Sequence, residues 1–80
     1  MLEKLRAQEK VIGVKQSRRA VLSELVQLVF IASDADPALT EPLESMCLQR
    51  EIPVIDRFTM RELGQAAGIQ VGASVAAVLK

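Results

Sequence analysis

Five apolar residues stand without a break from Leu28 to Ala32, and Ser33-Asp34-Ala35-Asp36-Pro37 closes the run. A strand with water on one side alternates apolar and polar residues, so an unbroken apolar run predicts a strand covered on both faces. The chain must therefore place helices on either side of a sheet. With 80 residues it is expected to form one domain spanning 1–80. A domain of this size buries only about 60–65% of its unfolded surface and needs nearly all its apolar residues inside, leaving no room for a large catalytic cleft. Half of the residues are apolar. Even so, no apolar stretch approaches the roughly 20 residues of a membrane span, and a soluble protein with no membrane partner is expected.

Helical and extended patterns alternate along the chain. Leu2 and Leu5 mark a short first helix, and Lys10 to Ile12 a brief strand. Val14, Val21, Leu22 and Leu25 recur at helical spacing and predict a helix over 14–25. Asp36 can cap a turn begun by Pro37, and Thr40 can cap a second start that tolerates Pro42 in its first turn. Leu39, Leu43, Met46 and Cys47 would line the inner stripe of that segment. Ile52 to Ile55 reads as a strand. Thr59 and Glu62 then form a capping box, with Phe58 stapled to Leu63, and Gly68 ends the helix. The segment from Ala73 to Leu79 reads as a central strand, with a buried helix as its rival. Strands alternating with helices, none of the strands showing a polar face, predict a three-layer α/β/α sandwich around a small sheet, mostly parallel in its core.

Ile12-Gly13-Val14-Lys15-Gln16-Ser17-Arg18-Arg19 is a strand end that turns on a glycine into a helix with a polar, basic first turn. Unpaired backbone N–H groups and the helix dipole favour an anion at such a place, and Lys15, Gln16 and Arg19 add side chains that can grip phosphate or read a base edge. Zero net charge argues against a nucleic-acid binder, but its distribution argues for one. The first twenty residues hold six basic and two acidic side chains, and the remaining sixty hold four basic and eight acidic. Such polarity can present one attractive face to RNA, although a solvated helix of mixed charge would look similar.

Other chemistry lacks its parts. The sequence has no histidine and one cysteine, so neither a disulfide within the chain nor a metal site is expected, and no phosphate loop of the G-x-x-x-x-G-K-[ST] form occurs. No enzyme, cofactor or small-molecule substrate is expected. The amphipathic, charged N-terminal segment lacks the apolar centre of a secretion signal, and a cytoplasmic location is expected.

Three segments in register carry a resemblance: the Gly13-Val14-Lys15-Gln16 helix start with Arg19, the Ile31-to-Pro37 turn, and the tail from Leu63 through Gly68-Ile69-Gln70-Val71-Gly72 to Val75. Together they resemble the kink-turn-binding ribosomal proteins of the L-seven-Ae type, most closely the short bacterial members, over essentially the whole chain. The resemblance implies a three-layer α/β/α sandwich with a small four-stranded mixed sheet. Its implied ligand is RNA carrying a three-nucleotide bulge followed by tandem sheared G·A pairs, in ribosomal RNA or a riboswitch. Gly13 then lies at the turn where a side chain would hold the RNA backbone away, with Val14 beside it. Lys15 and Gln16 fall where the family usually has Asn and Glu, the pair that contacts the guanines. This is a departure, though lysine can donate to guanine O6 or N7 and glutamine can donate and accept. Arg19 falls at the family's basic position, with Arg18 next to it. Ile69, Gln70 and Val71 match the loop that covers the extruded bases, and Asp34 lies in the matching turn.

Plainer readings stand beside these. Lys15, Gln16, Arg18 and Arg19 could be a solvated helix face, and Ile69 and Val71 could be core. Asp34, Asp36 and Glu62 read better as caps and turn formers than as ligands, and Cys47 as a buried thiol. The expected function is binding of kink-turn RNA by a monomer that stabilises the bent form, as a ribosomal or ribosome-associated protein. The alternative is a protein-interaction module of the same fold.

Overall fold

The computed structural model describes residues 2–80 and is a three-layer α/β/α sandwich. Its elements are α1 (Leu2–Ala7), β1 (Lys10–Ile12), α2 (Val14–Leu22), β2 (Val26–Ile31), α3 (Pro37–Gln49), β3 (Val54–Ile55), α4 (Met60–Ala67) and β4 (Val75–Leu79). The four strands form one mixed sheet in the order β1-β4-β2-β3. Alternate residues of its two central strands enter two apolar layers. Leu28, Phe30, Ala76 and Val78 meet Leu5 of α1 and Leu63 and Ala66 of α4 on one face. Val29, Ile31, Val75 and Ala77 meet Val21 of α2 and Leu43 and Cys47 of α3 on the other.

The sheet is not mostly parallel. Only β2 and β3 run parallel, while β4 lies antiparallel to both β1 and β2. Burial on both faces produces an unbroken apolar pattern in either direction, so composition carries no sign of strand polarity.

Local corrections have local causes. Helix α2 stops at Leu22 because the chain reverses through Glu24 at φ 59°, leaving Leu22 and Leu25 about half exposed. Helix α3 is one helix rather than two starts. Asp36 caps it by accepting from the Ala38 N–H at 3.0 Å, and Thr40 lies inside it with its hydroxyl turned to the Asp36 carbonyl. Pro42 is consequently an interior proline. Thr40, Leu43 and Cys47 make the buried stripe, with Met46 half-buried and Leu39 left outside at 55% exposure. Strand β3 keeps only Val54 and Ile55 of the four expected residues.

The α4 start matches its sequence signals. Thr59 accepts from the Glu62 N–H and Glu62 accepts from the Thr59 N–H, closing the capping box. Phe58 packs into the cluster that contains Leu63, its ring centroid 6.1 Å from that of Phe30.

Candidate nucleic-acid interface

One end of the sheet gathers the segments singled out in the sequence. Ile12 pairs with Ala76 and Ile31 with Val75, so β1 and β2 end beside the beginning of β4. Two further hydrogen bonds extend the pairing at this end: the Gly13 N–H donates to the Val75 carbonyl at 2.8 Å, and the Ala32 N–H donates to the Ser74 carbonyl at 2.8 Å. From here α2 departs, the Ser33-to-Asp36 turn departs, and the 68–74 loop arrives.

Gly13 makes the first departure possible. Its φ of 100° and ψ of 157° lie in a region that is essentially glycine's alone, and it caps α2 with no side-chain hydrogen bond. The N–H groups of Val14, Lys15 and Gln16 begin a helix and have no carbonyl four residues back within it. A Cβ at Gly13 would meet nothing within 4 Å, so the surface here is open to an approaching molecule. Lys15, Gln16 and Arg19 are exposed, with Lys15 and Arg19 one turn apart on the same face. Val14 packs against the α2–α3 core layer. Arg18 lines a shallow cleft with Val14, Leu39, Pro42 and Met46, which turns it toward α3. Ser17 is fully buried, its hydroxyl without a hydrogen-bond partner among the described residues.

The second departure and the arriving loop enclose a cleft of about 500 Å³. Asp34 lines it from the turn, and Ile69, Gln70 and Val71 line it from the loop. Gly68 closes α4 at φ 80°, with the Ile69 N–H bonded to the Gly64 carbonyl at 3.0 Å. Farther along, the Ala73 N–H donates to the Met60 carbonyl at 3.0 Å, so the loop is tied back to α4 at both ends. Val71 stands 71% exposed, whereas Ile69 is half-buried against the α1–α4 layer. The Asp34 carboxylate accepts from the Met60 N–H at 2.8 Å, which gives it a capping task at the head of α4.

Three residues of this region escaped the sequence reading. Arg61 and Gln65, one turn apart on α4, form the wall facing the loop. Gly64 lets the Val71 backbone pack directly on the helix. Its only signal was a glycine inside a helical pattern, which costs roughly 1 kcal/mol relative to alanine and so asks for a packing reason.

The Cys47 thiol is buried, and burial raises its pKa above the ordinary thiol range, with the Glu44 carboxylate pushing the same way and Arg50 opposing. Among the described residues no cluster of His, Cys, Asp or Glu could hold a metal ion, and no helix is long and apolar enough to cross a membrane.

A model of the Ribosomal protein L7Ae/L30e/S12e/Gadd45 family matches residues 1–80. The chain belongs to that family. Among its relatives, an RNA-binding protein of Halalkalibacterium halodurans is 42% identical over 74 residues, covering 92% of this chain and 90% of the relative. The RNA-binding protein YbxF of Geobacillus stearothermophilus is 37% identical over 76 residues, with 95% and 93% covered. Among solved structures, the Giardia lamblia 15.5kD RNA binding protein superposes with a TM-score of 0.91 at 26% identity, over 99% of this chain and 70% of that one. A Bacillus halodurans protein described as of unknown function superposes with a TM-score of 0.87 at 30% identity, over 99% and 83%. The names of both relatives describe RNA binding.

Proposed function

We propose that residues 1–80 form one RNA-binding domain that holds a kink-turn in its bent form. The observation that carries this reading is the shared end of the sheet. Through Gly13, Ala32 and Ser74 it sets the polar first turn of α2 beside the loop carrying Ile69, Gln70 and Val71. A rigid sheet fixes the separation of these two elements. An RNA whose G·A pairs and extruded bulge come together only when bent can engage both at once, and an extended RNA can engage one. That difference in affinity is what shifts the RNA's own equilibrium toward the bent state.

In this reading Lys15 and Gln16 contact the purine edges and Arg19 meets phosphate, while Gly13 keeps the approach open. Val71 and Ile69 pack on bases that are already unstacked, the part of an RNA from which a protein can read sequence. Aromatic stacking plays no part, since Phe30 is buried and Phe58 packs in the α1–α4 layer. The names of the relatives support RNA as the ligand class. The protein works as a monomer in the cytoplasm, on ribosomal RNA or on a riboswitch.

The test is a kink-turn with donor and acceptor dyes on its arms, titrated with protein in low magnesium. A duplex whose G·A pairs have been replaced serves as control. Rising energy transfer on the kink-turn alone is expected, and arms that stay apart at saturating protein, or close equally on the control, would refute the reading. Replacing Lys15 and Gln16 together by alanine should weaken binding by several kcal/mol at most, each base contact being worth about 1–3. Binding should also weaken steeply with salt, by about 0.7–0.9 in log–log slope per phosphate contact, which an apolar protein interface would not reproduce.

A further inference from the structure

Arg61 occupies a position that its own helix disfavours. It is the second residue of α4, in the first turn, where the helix dipole favours acids and works against a cation. It is exposed and has no ion-pair or hydrogen-bond partner among the described residues, and it lines the cleft beneath the 69–71 loop. The nearby carboxylate in that cleft, Asp34, is directed to the Met60 N–H instead. Among the described residues, Asp34 and Arg61 are the only charged side chains lining this cleft, so without the guanidinium it would be net negative and would repel a phosphate chain.

We propose that Arg61 is a phosphate anchor on the α4 wall of the cleft, a second cationic pole that faces the Lys15 and Arg19 pole of α2 across the end of the sheet. The anchor grips the RNA backbone beside the nucleotides that Ile69 and Val71 cover, with Gln65 one turn behind it as a neutral donor and acceptor. The contact is with phosphate and not with a base edge, so it holds the strand in place and reads no sequence. A guanidinium suits this role because it offers a planar fork of donors to phosphate oxygens and stays charged at any physiological pH. This inference rests on the RNA-binding reading above and adds to it a residue from a different helix.

The experiment measures the salt dependence of kink-turn binding for the wild type, Arg61→Gln, Arg61→Lys and the Lys15→Ala/Gln16→Ala double variant, with bulges of two different sequences. For Arg61→Gln the expected result is about a tenfold loss of affinity, equal for both bulges. Its log–log salt slope should be shallower by about one, and its melting temperature not lowered, since the helix dipole no longer works against a cation in the first turn. Arg61→Lys should keep the wild-type slope. If Arg61→Gln leaves the slope unchanged while the double variant loses binding, the anchor is refuted and the RNA-binding reading stands. A loss of affinity without a change in slope also refutes it. If the wild type itself fails to distinguish the kink-turn from the control duplex, both ideas fall.

Discussion

The backbone carbonyl of Val71 lies against the α4 backbone at Gly64, in the space that a Cβ on residue 64 would occupy; that Cβ would also stand 3.1 Å from the Cα of Gly72. Helix and loop are therefore in backbone contact at the base of the cleft, and the height of Val71 above it is set by the absence of one methyl group.

Gly64→Ala is accordingly predicted to lower stability despite improving helix propensity. Alanine in a helix interior gains about 0.5–1 kcal/mol over glycine. Forcing a methyl group into a packed site costs typically about 1–3 kcal/mol, and here the obstacle is backbone that cannot rotate away. A net loss in thermal unfolding is expected, together with weaker RNA binding because the loop carrying Ile69 and Val71 must shift. A variant as stable as the wild type with full affinity would show that the loop's seat on α4 does not matter.

Gly13→Ala tests the other half of the interface by a different mechanism. There is no collision, since nothing lies within 4 Å of the added Cβ, but φ 100° with ψ 157° is strained for any side chain. The cost should be about 1–3 kcal/mol. In a domain this small each kcal/mol moves the melting temperature by roughly 4–8 °C. Heat denaturation followed by circular dichroism reads this directly, and an unchanged melting temperature would contradict the strain.

These two glycines mark how far the sequence could be read. Gly13 was legible because strand, glycine and polar helix follow one another locally, and the Thr59–Glu62 box and the Asp36 cap were legible for the same reason. Gly64 was not, because its necessity depends on a loop that returns over it only in the folded chain. Strand direction was hidden likewise: Val75 to Val78 bury their side chains, as a strand of either orientation here would. Periodicity placed Leu39 inside α3, but the register gives the buried position to Thr40, whose hydroxyl is turned to the Asp36 carbonyl. Arg61 was invisible as a site residue, since an isolated arginine in a helix first turn carries no pattern until the cleft beside it is seen.

Asp34→Ala should loosen the head of α4. The carboxylate accepts from the Met60 N–H at 2.8 Å across 26 residues of chain and so fastens the turn after β2 to the helix that walls the cleft. Losing a cap of this kind costs about 0.5–2 kcal/mol. Hydrogen exchange at the Met60 amide should quicken in the alanine variant and much less in Asp34→Asn, which keeps an acceptor oxygen. The asparagine variant also removes a negative charge from the cleft, so it should bind RNA at least as tightly as the wild type. Weaker binding would mean that the carboxylate itself contacts the ligand.

Cys47 gives the protein a predictable alkaline weakness. Burial holds its pKa above the ordinary thiol range, and Glu44 adds to the shift, so as pH rises the unfolded chain releases this proton before the native one does. The native state then carries more bound protons, and stability must fall with pH. The contribution is complete below the unfolded thiol pKa of about 8.5 and is lost as pH climbs from there through the folded value. Cys47→Ala should be less stable near neutrality, because removing the buried sulfur leaves a cavity between α3 and the sheet. It should also lose stability less steeply in alkali, since the titrating group is gone. Urea unfolding of both proteins across the alkaline range decides the matter: converging curves are expected, and parallel ones would show that the thiol does not set the slope.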